Sequence, residues 1–245
     1  MTITQEKKLF HFQRIAFLFT FFSSFFFFLL TTLAMVFYPG GTEEDPSKTH
    51  YLFFSNFFSD LGRTTVFDGA TNFISRTLFI IALSFISLSL LALFFAIVPF
   101  FKANKTERAL SALGTLGGTV SALGYFFLAI IPVDKKPIAH GTFTFIAFIA
   151  TFFALLFYAI AILKAKYYPK SMAWIIIPTI LISLGYLIIL FNGGSEGMLA
   201  NLTLQAISQK IIVYCQILAF LLFSLISYRF LLQRKETATA IIEEK

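Results

Sequence analysis

Hydrophobic positions in this chain fall into six long, nearly unbroken runs. They cover Ile15 to Tyr38, Asn72 to Phe100, Arg108 to Pro132, His140 to Leu163, Ser171 to Phe191 and Ser208 to Leu232. Each is long enough to cross a hydrocarbon core, which takes ~20 residues at ~1.5 Å per residue over ~30 Å. None carries a charge away from its ends. Membrane strands would show ~10-residue alternation instead. The runs therefore predict an all-α fold: an integral membrane six-helix bundle, with residues 1–245 forming a single transmembrane domain joined by short loops. The first run is too long for the apolar core of a cleaved signal, and no convincing small-residue cleavage site precedes Pro39.

Composition agrees. Hydrophobic residues make up 58% of the chain and charged residues 13%, against about 25% charged in a soluble domain. The charge that remains gives an orientation. Lys7, Lys8, Arg14, Lys102, Lys105, Arg108, Lys164, Lys166, Lys170, Arg229, Arg234, Lys235 and Lys245 fall on one side, thirteen of the nineteen basic residues. Lys48, Arg63, Arg76, Lys135, Lys136 and Lys210 fall on the other. By the positive-inside rule both termini are cytoplasmic, and the protein is expected in the cell membrane as a multi-pass protein. The net charge of +7 then reads as a topology signal with some attraction to anionic lipid heads. Nucleic acid is not an expected partner, because the basic groups are scattered over short loops. Membrane lipids are.

Several functions lose support from what the spans lack. A proton-coupled transporter, a pump or a voltage sensor needs ionisable groups deep in the membrane. Buried haem needs paired histidines; here His11, His50 and His140 are scattered, and only His140 touches a span. No cofactor or metal is expected. Cys215 is the single cysteine, which leaves no intramolecular disulfide. The two halves share no motif, so inverted-repeat transport has no footing. Span three carries Gly114, Gly117, Gly118, Ser121, Ala122 and Gly124, small residues at spacings of three and four that suit close helix packing. Asn192-Gly193-Gly194 reads as a left-handed stop to span five.

Unusual polar residues gather on the outer side. Residues 51–61 read YLFFSNFFSDL. Apolar positions 51, 54, 57, 58 and 61 share one side at helical spacing, with Ser55, Asn56, Ser59 and Asp60 on another. This reads as a short amphipathic helix in the interface, or as a packed irregular loop. Asn72 is a good helix N-cap type, with Arg76 one turn on, where it can snorkel or pair with Asp60 or Asp68. Asp134 and His140 flank a tight turn and are close enough in sequence to meet. Gln209 and Lys210 open span six. Tyr125, Tyr186 and Gln216 lie ~10 Å below the outer rim at ~1.5 Å per residue, where facing one another around a cavity would supply the partners they need.

These landmarks together resemble a known pattern. Ser55-Asn56-Phe57-Phe58-Ser59-Asp60-Leu61-Gly62 resembles the S-N-x-x-S-D-L-G entry to span two in a prokaryotic family called domain of unknown function 998. Asn72, the stretch Gly124 to Pro132 with Asp134 and His140, and Gln209-Lys210-Ile211 fit its later motifs. Lys210 stands where that family usually has Arg, which loses a planar fork for carboxylate or phosphate. The pattern spans residues ~15 to ~232. Its layout is similar to the Frag/DRAM-type six-span proteins, some of which act in lipid-anchor remodelling and autophagy.

Two functions follow as expectations. In the first, an outer-face site binds a lipid head group or other amphiphile through Asp60, Asn72, Arg76, Tyr125, Tyr186, Gln209, Lys210 and Gln216. A hydrolase version would use His140 as base, Asp134 to orient it and Ser59 or water as nucleophile. In the second, the protein is a non-enzymatic assembly or partner subunit whose polar cluster ties its loops together. Neutral-solute transport lacks a coupling residue. The orientation is checked with single cysteines in a Cys215→Ser background. Ser47→Cys should react with a membrane-impermeant maleimide added outside cells and Lys166→Cys should not; the opposite labelling would invert the topology.

Overall fold

A computed structural model describes residues 2–193 and 197–243; Gly194, Glu196 and Lys245 lie outside the described residues. The chain forms six long helices: α1 (Ile3–Val36), α2 (Phe73–Ile97), α3 (Lys105–Ile130), α4 (Pro137–Lys164), α5 (Ser171–Asn192) and α6 (Leu202–Glu243). All six contain a stretch long and apolar enough to cross a membrane. Each packs against its neighbour in sequence, and α6 closes onto α1. The result is a closed ring of helices. One end of the ring is covered by residues 37–72, the α1–α2 connection; we call it the capped end.

The helix ends depart from the apolar runs for local reasons. α1 begins a dozen residues before Ile15, because Thr2 and Gln5 form a capping box and no glycine or proline intervenes before Pro39-Gly40-Gly41. α6 runs for 42 residues, ~63 Å at ~1.5 Å per residue, since neither helix breaker occurs after Gly197. It reaches well beyond a ~30 Å hydrocarbon core. α3 starts at Lys105 because the Asn104 side chain accepts the Glu107 N–H at 2.9 Å, and α4 starts at Pro137, a residue suited to a first turn. Gly193 is no left-handed stop. Its φ is −63°, and its carbonyl is met by the Gln205 side chain at 3.2 Å.

The small residues of α3 face two neighbours. Gly117 and Gly124 let α3 approach the α4 backbone at Ala150, Ala154 and Ala147, and Gly118 takes the Phe94 ring of α2. Phenylalanine is divided by the ring: Phe17 and Phe27 of α1 point inward, while Phe22, Phe25, Phe26 and Phe28 point outward, where lipid would meet them. A Cβ on Gly118 would lie 2.3 Å from Phe94, whereas a Cβ on Gly185 meets nothing within 4 Å. Gly118→Leu should therefore lose ~3 kcal/mol or more, measured as a fall in melting temperature in detergent. Gly185→Ala should lose nothing. Equal behaviour of the two variants would refute this packing.

Candidate functional site

The cap is organised around Asn56, which is completely buried. Its Oδ1 accepts the Leu52 N–H at 2.9 Å. Its Nδ2 donates to the Gly41 carbonyl at 2.8 Å and to Asp60 Oδ2 at 3.2 Å. Gly40 and Gly41 sit at φ +136° and +79°, a region that favours glycine, and a Cβ on Gly40 would collide with the Lys48 carbonyl. Asp60 Oδ2 also accepts the Phe57 N–H at 2.8 Å, and Arg63 lies 3.8 Å from Oδ1. From below, Lys210 of α6 donates to the Asn56 carbonyl and, at 3.2 Å, to the Ala206 carbonyl. Its ammonium also sits 5.5 Å from the Tyr51 ring and 5.4 Å from the Phe53 ring. Gln209 accepts the Phe58 N–H at 2.7 Å.

This geometry overturns the amphipathic-helix expectation for residues 51–61. Only Phe58–Gly62 is helical, as a 3-10 turn. The division into two faces also fails: Tyr51, Phe58 and Leu61 are buried but Phe54 is 63% exposed, and Asn56 and Asp60 are buried with the apolar residues. The cap folds around Asn56 and Asp60 because both find hydrogen-bond partners there, which offsets the cost of burying them.

A second set of ties fixes the other half of the cap. Asp134, in the α3–α4 turn, accepts the Thr64 N–H at 2.9 Å, the Thr64 hydroxyl, and the Thr65 N–H and hydroxyl at 3.3 Å. Asn72 precedes α2 without capping it. Its Nδ2 instead donates to the carbonyls of Leu61 and Arg63 at 3.1 and 3.0 Å. The expected Asp134–His140 contact is absent, because the threonines occupy the carboxylate and His140 Nδ1 lies 2.7 Å from the Ile131 carbonyl. Arg76 forms no ion pair with Asp60 or Asp68 among the described residues; Asp60 is taken by Arg63.

Charge in the cap is tuned in opposite directions. Burial pushes the Asp60 carboxyl up to about 6, against the pull of Asn56, Arg63, the Phe57 amide and Lys210. Burial acts on Asp134 the same way, but the hydrogen bonds from Thr64 and Thr65 outweigh it and hold that carboxyl below its ordinary value.

Beneath the cap lies a chamber of about 60 Å³ at the centre of the ring. One water needs ~10–15 Å³ on this scale, so the space takes on the order of four water-sized groups. Ser59, His140 and Gln209 line it at the capped end, and Leu90 lines its far end, seventeen residues into α2 or ~25 Å at ~1.5 Å per residue. Between them stand apolar side chains with Thr144, Tyr125 and Gln216. Tyr125 and Gln216 meet, the hydroxyl donating to Oε1 at 2.8 Å. The Thr151 hydroxyl approaches the Tyr125 oxygen at 3.4 Å. Tyr186 is buried beside Gln209 and is not among the residues lining the chamber.

The structure thus sorts the candidates into two groups. Asp60, Asn72, Asp134 and Lys210 hold the cap. Ser59, Tyr125, His140, Gln209 and Gln216 line the chamber, with Gln209 joining the groups. Sequence reasoning passed over Asn56 as a site residue, although an amide among phenylalanines is a signal of internal pairing. It also missed Thr64 and Thr65, which no local pattern marks.

The family described as Frag1/DRAM/Sfk1/Cwh43P N-terminal domain matches residues 65–225, about two-thirds of the chain. The chain belongs to this family. The match takes in α2 to α5, most of α6 and the walls those helices give the chamber; it begins after Asn56 and Asp60. No curated protein matches the chain, and no solved structure does.

Asp60 gives this site a pH signature. The carboxyl binds its proton more tightly in the folded state than at its unfolded value of 3.8. Its contribution to stability is thus full below that value and is lost as pH rises through about 6. Asp134 contributes in the opposite sense, above the ordinary carboxylate range, and is lost in stronger acid. Between about pH 7 and about pH 5 the melting temperature should rise on acidification, and the rise should vanish in Asp60→Asn. An undiminished rise in the variant would assign the titration to another group.

Proposed function

We propose that this protein is a non-enzymatic multi-pass protein of the cell membrane that takes up an amphiphile, holding the polar end and the adjoining first carbons of its chain in the central chamber beneath the cap. Both termini are then cytoplasmic and the capped end faces outward, as the basic residues favour. The observation that carries the reading is the make-up of the chamber wall: Ser59, His140 and Gln209 stand at the capped end beside the stacked Phe27 and Phe58 rings, and Leu90 and Phe220 lie below. That sequence of surfaces matches a molecule with one polar end and an apolar chain. Closer kinship with the domain of unknown function 998 group is part of this reading and rests on the S-N-F-F-S-D-L-G run and Asn72.

The polar residues at the capped end take a different part from the one the sequence proposed for them. Arg76, whose Nε has no hydrogen-bond partner, does not line the chamber, and the other candidates to hold a phosphate or sugar, Asn72, Gln209 and Lys210, already have partners within the protein. They serve the ligand by keeping the cap closed over it. A hydrolase reading draws on Ser59 and His140, which line the same chamber, but its orienting carboxylate is engaged by Thr64 and Thr65.

The test is the lipid content of the purified protein. Val213→Phe adds bulk to a wall of the chamber. Co-purified lipid, measured by native mass spectrometry, should fall to less than about half the wild-type amount, with the melting temperature within a few degrees. Equal lipid in the two proteins would overturn the proposal.

A further inference from the structure

We propose that the amphiphile is uncharged and carries both a hydroxyl and a carbonyl in its head, as an acylglycerol does; this rests on the chamber reading above and deepens it. The carbonyl is called for by Gln216. This residue lines the chamber, is 3% exposed and leaves its Nε2 without a hydrogen-bond partner. The Tyr125 hydroxyl donates to Gln216 Oε1 at 2.8 Å, so the free arm of the amide is the N–H side. A buried amide N–H costs free energy until an acceptor meets it, and a ligand carbonyl is such an acceptor.

The hydroxyl is called for by His140. The Ile131 carbonyl 2.7 Å from Nδ1 only accepts, so Nδ1 carries the proton and Nε2 keeps its lone pair. His140 lines the chamber, and no described residue donates to that nitrogen. A ligand hydroxyl completes it.

The head is uncharged because the chamber offers a charge nothing to meet. Its polar lining is Ser59, Tyr125, His140, Thr144, Gln209 and Gln216, with no lysine or arginine. Lys210, the nearest cation by sequence, is committed to the carbonyls of Asn56 and Ala206. A phosphate or carboxylate entering here would forfeit hydration worth several kcal/mol with no counter-charge.

Three oleoyl probes test this on the purified full-length protein in nanodiscs, by competition against labelled monoolein: monoolein itself, methyl oleate, which lacks the hydroxyls, and oleoyl lysophosphatidate, which adds a phosphate. Monoolein should bind about tenfold more tightly than either of the others. Gln216→Met should weaken monoolein and methyl oleate alike by about tenfold, and His140→Phe should bring monoolein down to the level of methyl oleate. Lysophosphatidate binding as tightly as monoolein, or monoolein unaffected by Gln216→Met, would overturn the inference and leave the chamber reading standing. Failure of all three probes to bind the wild-type protein would overturn that reading too. The wild-type series decides the matter even where a variant does not fold.

Discussion

An ammonium group that is only 2% exposed, as at Lys210, has given up hydration worth several kcal/mol. It persists only where the surroundings return that free energy. Here the return comes from the Asn56 and Ala206 carbonyls, the rings of Tyr51 and Phe53 and the charge of Asp60. The consequences spread through the cap. Turning the Asn56 carbonyl toward α6 leaves its side chain to satisfy Leu52 and Gly41, and Gly41 can receive it because the chain reverses through two positive-φ glycines. Asp60 then serves the ammonium, the Asn56 amide and the Phe57 N–H together. A compact ammonium suits this arrangement better than a planar guanidinium would, because its partners are carbonyls and ring faces rather than a single carboxylate fork.

The cap therefore sorts chemistry by depth. At the capped end the buried carboxylate of Asp60, the carboxylate of Asp134 and the buried ammonium of Lys210 all have protein partners. Gln209 marks the boundary, with its Oε1 on the Phe58 N–H above and its side chain forming part of the chamber wall below. Under it the lining is uncharged, and polar atoms stand out against phenylalanine and leucine. In such surroundings a single unpaired amide nitrogen carries more weight than it would at a wet surface, because no bulk water is at hand to satisfy it.

The six spans were legible because an apolar run of this length has one stable use. Their ends were not, because hydropathy falls at the membrane surface while a helix continues until a glycine, a proline or a cap stops it; α1 and α6 both outrun their apolar stretches for this reason. The depth argument brought Tyr125 and Gln216 together, since both were placed by counting residues along helices. It failed for Asp134 and His140, where proximity in sequence said nothing of the competing threonines 70 residues away. The cap defeated periodicity altogether. Helical spacing in residues 51–61 suggested an amphipathic helix, but the segment is the packed irregular loop that was the other reading, because hydrogen bonds from Asn56, Gln209 and Lys210 bury polar and apolar residues together, and those bonds leave no periodic trace.

The family match adds one physical step. Residues 65–225 include Asn72, Asp134, Gln209 and Lys210, the groups that receive the cap, while Asn56, Ser59 and Asp60 lie before it. The helical ring thus presents a buried lysine, an amide and a carboxylate at one end, and each takes a further partner from the cap. A segment able to offer carbonyls, N–H groups and an acid in the right places is a condition for the ring to be stable with these residues at its end. The cap lies over the chamber through the same contacts, so the stability of the cap and the shape of the chamber's polar end rest on a single set of hydrogen bonds.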